Sequence, residues 1–393
     1  MRFQPTDSQQ ALREEVRAFA SERIAPVAGE LDRTETYPEG ILDDLADRGI
    51  TGLTLPEERG GRGEGLVELC IAIEELAAVM MPVASALALN LGVATVVDRF
   101  GTDAQRERYV PEMARFETVG ALGLSEADAG SDKLAMETTA ERDAAEQNSA
   151  SPESTEATRD GDEWVLDGHK QWVTNFQHAD VVLTYARTGA DDEAPHNISA
   201  FLVPTDEFEV ERVWDTLGAR SVKSPRVTLT NVRVSDDAMV GEQGEAYVER
   251  GQVNNGVNVP ARAVGIARAA LEDTVAYTSG REQFDQAIGD FQGVRWRMGE
   301  MAERVDTARL LTYRAADRAD RGLDVARAHS MAKVHATEAA VENANEAMQL
   351  HGGVGYTTEH DVERYLRDAR LLTIAGGPNE GHRDTLAAEV VDD

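Results

Sequence analysis

An α+β fold, with a β domain set between two helical regions, is predicted by three observations on this sequence. Apolar residues recur at three- and four-residue spacing up to about residue 118, alternate with period two from 119 to 240, and return to helical spacing from 241 onward. Gly, Pro, Asn and Asp cluster between the alternating runs. The 393 residues suffice for two or three domains with cores of their own. The predicted domains are an N-terminal α-helical domain over 1–118, a middle β-barrel-like domain over 119–240, and a C-terminal α-helical bundle over 241–393.

Asp7 or Ser8 is expected to cap a first helix, whose stripe carries Leu12, Val16 and Phe19. Pro56 and the glycines at 60, 61 and 63 form a loop before a long helix from about Leu66 to Val79. A further helix is expected after Pro82, and another after the turn Gly101-Thr102-Asp103. In the middle region Trp164–Leu166, Val181–Leu183, Ala200–Val203 and Val227–Val234 read as strands. Residues 144–161, rich in Ser, Glu, Thr and Ala without periodicity, read as an acidic surface loop. Beyond Glu245, Met298, Met301, Val305, Ala308, Thr312 and Ala315 mark one face of a long packed helix, and the alanines of 336–347 suit closely packed helices.

Charge excludes some function classes. The formal net charge is −33, and only Lys133, Lys170, Lys223 and Lys333 are lysines. Such a surface repels nucleic acid and anionic membrane, so neither is expected as a partner. It suits a cytoplasm of very high salt, where charges are screened within a few ångströms. No apolar run long enough for a membrane-spanning helix is expected, and the polar N-terminal stretch shows no secretory signal, so the expected location is the cytoplasm. The single Cys70 permits no internal disulfide, the histidines show no H-E-x-x-H spacing, and no metal site is expected.

No G-x-G-x-x-G opens a βαβ unit, and there is no P-loop or G-x-S-x-G elbow. Four other strings are specific. Gly123-Leu124-Ser125-Glu126-Ala127-Asp128-Ala129-Gly130-Ser131-Asp132 resembles the first signature of the acyl-CoA dehydrogenase family. Gln349-Leu350-His351-Gly352-Gly353-Val354-Gly355-Tyr356, continuing through Glu359, Arg364 and Asp368, resembles the second. Lys170-Gln171-Trp172-Val173-Thr174-Asn175 looks like the family's flavin-covering strand, and Arg281-x-x-Phe284 with Ile288, Phe291 and Gln292 resembles its R-x-x-F-G-x-x-I-x-x-F-Q segment. The order is the family's, over about residues 8–387.

The resemblance implies FAD as cofactor. A flavin needs a flat apolar wall and a few donors at its ring edge. Trp172 and Thr174 are implied beside the isoalloxazine, with Leu124 and Ser125 at its pyrimidine edge. Arg281, whose fork suits phosphate oxygens, is implied on the pyrophosphate together with Phe284 and Gln292, all three given to the neighbouring subunit's cofactor. Gln349, Gly352 and Gly353 are implied at the ADP half. Ser131, after Gly130, is implied on the pantetheine arm of an acyl-CoA substrate. A homotetramer, or a hetero-oligomer with a paralogue, and an electron-transfer flavoprotein as electron acceptor follow from the same resemblance. Asp285 stands where the R-x-x-F-G segment has glycine, and Pro378 where the G-T-x-E string has threonine.

The family's reaction removes an α-proton while hydride leaves the β-carbon, and a carboxylate normally takes that proton. The usual position of this glutamate falls on Gly376, and the alternative position used by a minority of members falls on Asn255. Neither is a base. Gly376 keeps a backbone N–H able to polarise a thioester carbonyl. Glu249 and Glu380 are the neighbouring carboxylates. The small Ala375 and Gly376 point to room for a branched or cyclic acyl group. The leading reading is α,β-dehydrogenation of an acyl-CoA. The alternatives are a flavin monooxygenase on the same scaffold, or a non-catalytic subunit binding flavin or acyl-CoA.

Overall fold

A computed structural model describes residues 4–142, 163–190, 193–249 and 256–391. The acidic loop expected at 144–161 and Asn255 lie outside the described residues. Five helices come first: α1 Asp7–Phe19, α2 Ala25–Thr34, α3 Glu39–Ala46, α4 Leu66–Phe100 and α5 Asp103–Ala114. Eight strands follow: β1 Gly120–Gly123, β2 Thr139–Arg142, β3 Glu163–Lys170, β4 Val181–Arg187, β5 Ile198–Pro204, β6 Glu209–Arg212, β7 Arg226–Ser235 and β8 Met239–Val240. Then come α6 Glu245–Val248 and α7 Asn258–Gly280, the hairpin of β9 Glu282–Gln283 and β10 Gln286–Ala287, and α8 Gln292–Asp320, α9 Ala326–His351, α10 Val362–Leu372 and α11 Asn379–Val391. The chain divides into two compact units, a helical one (Met1–Ala88, Asp215–Val222, Asn254–Asp393) and a β one (Leu89–Trp214, Lys223–Val253).

Local chemistry sets these boundaries. The cap of α1 is Thr6, not Asp7 or Ser8: its hydroxyl accepts from Gln9 N–H while the Gln9 side chain accepts from Thr6 N–H, a capping box. The break expected at Pro82 falls at Met80 (φ −152°, ψ 98°), and helical geometry resumes through the proline. Taken as one helix, α4 is long and apolar enough to cross a membrane by length and composition, contrary to the sequence expectation. Its apolar window is 83% buried inside the protein, so that surface is spent on core.

In the β unit the strand order is β6-β7-β3-β2-β4-β5-β8, with β1 parallel to β4. The strands form a mixed sheet, and among the described residues the end strands β6 and β8 do not pair with each other. Its core gathers Trp164, Leu166, Phe176, Phe201, Phe208, Val227 and Leu229. In the helical unit α7 buries residues all round, Val259 to Ala270, between α8, α9 and α10. Met301, Val305, Ala308, Thr312 and Ala315 are the buried face of α8. The 215–222 segment docks on α10, where Ala219 N–H donates to Asp368 Oδ1 at 2.7 Å. Burial raises that carboxyl to about 6.

Charged groups are also buried. Glu74 and Glu75 on α4 are 1% exposed; Arg309 and Tyr313 meet Glu74, and Arg17 and Arg268 meet Glu75, at 2.7–2.9 Å. Lys170 and Lys333 are fully buried, and Lys133 and Lys223 are half-buried.

Candidate functional site

In the β unit the first signature leaves β1 and the Trp172 string leaves β3. Gln171 to Asn175 form a loop, not the strand expected from the resemblance. Gln171 ties the two strings together: its N–H donates to Ser125 carbonyl at 2.8 Å and its Nε2 to Glu126 carbonyl at 2.9 Å. Beneath lies a buried ion pair. Lys170 Nζ stands 2.6 Å from Glu126 Oε1, with the two side chains 0% and 1% exposed. Glu126 also accepts the backbone N–H of Glu137 at 2.7 Å and of Thr138 at 3.2 Å. Burial opposes both charges. The carboxylate, with several donors, still ends below its ordinary range, whereas the ammonium, with one carboxylate acceptor, is drawn down to about 8.

Above this pair Trp172 is 49% exposed and held at φ 62°. A left-handed backbone for so bulky a residue costs about 1–3 kcal/mol and persists where the surroundings impose it, commonly at functional sites. Its ring stacks on Trp214 with centroids 5.0 Å apart, and Arg212 sits over Trp214 at 4.1 Å. Thr174 Oγ1 shares a hydrogen bond with Ser224 Oγ at 2.8 Å. Leu124 and Ser125 are half-buried beside this loop, and Ser131 and Gly130 are exposed in a bend further on.

The helical unit carries the other candidates. Arg281 follows α7 and is exposed. Phe284 and Asp285, at φ 54° and 64°, are the two turn residues of the β9–β10 hairpin. Such a turn needs positive φ at both positions, which aspartate tolerates better than most residues, so Asp285 replaces glycine at little cost. Phe284 is 88% exposed at this tip. Gln292 opens α8, and Gln349, Gly352 and Gly353 end α9; all are exposed, and a Cβ on either glycine would meet nothing within 4 Å.

Gly376 follows α10 at φ 69°, and a Cβ placed there would stand 2.9 Å from Val259 Cγ2. The space where a glutamate side chain would begin is filled from α7, and the room expected for a branched acyl group is closed on that side. His382 Nε2–H donates to Gly376 carbonyl at 3.2 Å, Ser330 Oγ is 3.3 Å from its Nδ1, and the His329 ring lies edge-on to it at 5.1 Å. Lys333 Nζ donates to Gly377 carbonyl and to Asn379 Oδ1, both at 2.9 Å. Glu380 is exposed in the first turn of α11, and Glu249 closes α6 in the β unit.

Sequence profiles of three domains match nearly the whole chain: acyl-CoA dehydrogenase N-terminal domain at residues 6–117, middle domain at 121–232 and C-terminal domain at 243–391. The chain belongs to the acyl-CoA dehydrogenase family. It is 34% identical to a probable acyl-CoA dehydrogenase of Bacillus subtilis over 100% of both chains. Its fold matches the butyryl-CoA dehydrogenase of Megasphaera elsdenii (TM-score 0.91, 29% identity, 100% of both chains). It equally matches a chain solved in work on the electron transferring flavoprotein of Acidaminococcus fermentans (TM-score 0.91, 30% identity, 100% of both chains).

The protein is thus an acyl-CoA dehydrogenase-type flavin oxidoreductase, and its cofactor is FAD. The residues present fit that group: an exposed, conformationally fixed indole with Thr174 near it in the β unit, and an exposed arginine and open glycines in the helical unit. Sequence reading missed the Glu126–Lys170 pair and the cluster of Arg262, His329, Lys333 and His382. The signal for Arg262 was a charge set in an apolar run, Val259 to Ile266; the partnership of Glu126 with Lys170 and of the histidines with Lys333 joins positions distant in sequence and had no local mark.

Proposed function

We propose that this enzyme dehydrogenates an acyl-CoA thioester between its α- and β-carbons and passes the electrons to an electron-transfer flavoprotein. The observation that carries the reading is Trp172, half-exposed and strained in the loop that also presents Thr174. Bound FAD would supply the hydride acceptor. Trp172 walls it, Thr174 and Ser125 offer hydroxyls to its ring edge, Arg281 neutralises phosphate, and Ser131 bonds the pantetheine arm. Gly376 N–H polarises the thioester carbonyl, which acidifies the α-proton for transfer to a base other than residues 376 and 255. Exposed apolar side chains at Phe284, Trp296 (63%), Tyr356 (85%) and Ile374 (57%) support an oligomer, read as a homotetramer. The acidic composition supports a cytoplasm of high salt.

A second reading is favoured by Val259, which blocks the usual base: a flavin monooxygenase, or a flavin- or acyl-CoA-binding subunit of a hetero-oligomer, needs no α-proton base. The test is anaerobic addition of an acyl-CoA panel to the purified FAD-loaded protein. Bleaching of the flavin, with reoxidation by an electron-transfer flavoprotein, supports dehydrogenation. Reoxidation by oxygen with substrate hydroxylation, or no bleaching by any acyl-CoA, overturns it.

A further inference from the structure

The helical unit holds two buried cations near Gly376 whose hydrogen bonds all go to neutral groups. Arg262, on α7, is 4% exposed. Its Nη1 donates to Ser85 Oγ at 2.8 Å, its Nη2 to Asn258 Oδ1 at 2.9 Å and its Nε to Asn258 carbonyl at 3.4 Å. A guanidinium carries five N–H donors, so one hydrogen on each terminal nitrogen has no acceptor among the described residues. Lys333, 0% exposed, gives two of its three donors to Gly377 carbonyl and Asn379 Oδ1.

The buried Arg268 and Arg364 and the half-buried Arg367 of this unit are handled differently. Arg268 pairs with Glu74 and Glu75, Arg364 with Asp361, and Arg367 with Asp32 and Glu363. A chain with 72 acidic residues has nonetheless put no carboxylate against Arg262 among the described residues. Burial without a counter-charge draws this guanidinium down to about 10, and burial together with Arg262's charge draws Lys333 to about 8. Of the carboxylates acting on Lys333, Glu338 is already bonded by Arg383, and Glu380 is exposed.

The missing counter-charge has a place to come from. Val259, which faces Gly376, lies three residues before Arg262 and so on the same face of α7. Val259 closes the glutamate position itself, so an acyl group seated beside Gly376 would extend along this face of α7, in the direction of Arg262. We infer that Arg262, with Ser85 beside it, receives a carboxylate at the far end of the acyl group, so that the preferred substrates are monothioesters of short dicarboxylic acids. This rests on the dehydrogenase reading above. One free N–H on each terminal nitrogen is the arrangement that takes a carboxylate with two parallel bonds. A neutral chain of equal length leaves the cation buried and unpaired.

The test uses the FAD-loaded enzyme with matched pairs: glutaryl-CoA against pentanoyl-CoA, and succinyl-CoA against butyryl-CoA. Affinity is measured by calorimetry and reduction by anaerobic bleaching. The expected result is an advantage of about tenfold or more in Kd for at least one diacid thioester over its neutral partner. Arg262→Gln should collapse that ratio and Arg262→Lys should keep part of it. Should Arg262→Gln fail to fold, Ser85→Ala and the wild-type ratios still decide. Equal or better binding of the neutral partners in both pairs, with bleaching intact, overturns the carboxylate site and leaves dehydrogenation standing. Diacid preference without bleaching by any thioester keeps the site and overturns dehydrogenation. An equal loss for both members of each pair in Arg262→Gln assigns the arginine to structure alone and overturns the inference.

Discussion

Removing one member of the Glu126–Lys170 pair has a calculable upper cost, because a charge left alone in the interior can neutralise itself. In Lys170→Met the abandoned Glu126 takes up a proton, which at pH 7 costs about 4 kcal/mol from an ordinary glutamate pKa. The two backbone N–H groups that Glu126 keeps should hold the loss nearer 3 kcal/mol. In Glu126→Gln the abandoned Lys170 sheds its proton, for at most about 5 kcal/mol. The pH slopes then have opposite signs. Below pH 8 the wild-type pair stays charged, so relative to it Lys170→Met loses about 1.4 kcal/mol per unit rise in pH, and Glu126→Gln gains the same. Urea unfolding followed by tryptophan fluorescence reads this, since Trp164, Trp172 and Trp214 lie in the β unit. The double variant should be less damaged than the two single losses added. Single losses below about 1 kcal/mol, or parallel pH slopes, would refute the reasoning.

Gly376→Glu should not create a base: the left-handed backbone and Val259 together should cost about 1–3 kcal/mol, with Val259→Ala recovering part, read by thermal unfolding. Burial, with the charges of His382 and Lys333 facing it, lowers His329 to about 4, so its contribution is intact above pH 6.5 and is lost as pH falls toward 4. His329→Gln should flatten that acid branch by up to about 3 kcal/mol, read by urea unfolding between pH 4 and 7. Trp172→Ala should lower the flavin-to-protein absorbance ratio after gel filtration while leaving the far-UV spectrum unchanged; full flavin retention would count against its role. At a net charge of −33, raising salt from 0.1 to 1 M, which shortens the screening length to about 3 Å, should raise the thermal midpoint.

The architecture was legible because its signals are periodic or local. The α8 stripe through Met301, Val305 and Ala308, and the runs that became β3, β4, β5 and β7, each announce a period. The short β1, β2, β6 and β8 were not found, since two to four residues carry no measurable alternation. The cap of α1 was expected at Asp7 or Ser8 and is Thr6, because all three residue types cap and only the reciprocal bond with Gln9 separates them. Trp172 was identified by its string, yet its left-handed backbone has no mark in sequence. Likewise Gly376 showed the lost carboxylate, but not that Val259, 117 positions earlier, had closed the space.

The burial of the lysines has a chemical consequence. None of the four falls among the exposed residues, so the surface meets its need for positive charge with guanidinium. Amines react with thioesters, anhydrides and active esters only when they can be reached. A protein that handles activated acyl groups in this way offers them few side-chain nucleophiles for stray acylation, while arginine at every exposed cationic position is inert to the same chemistry.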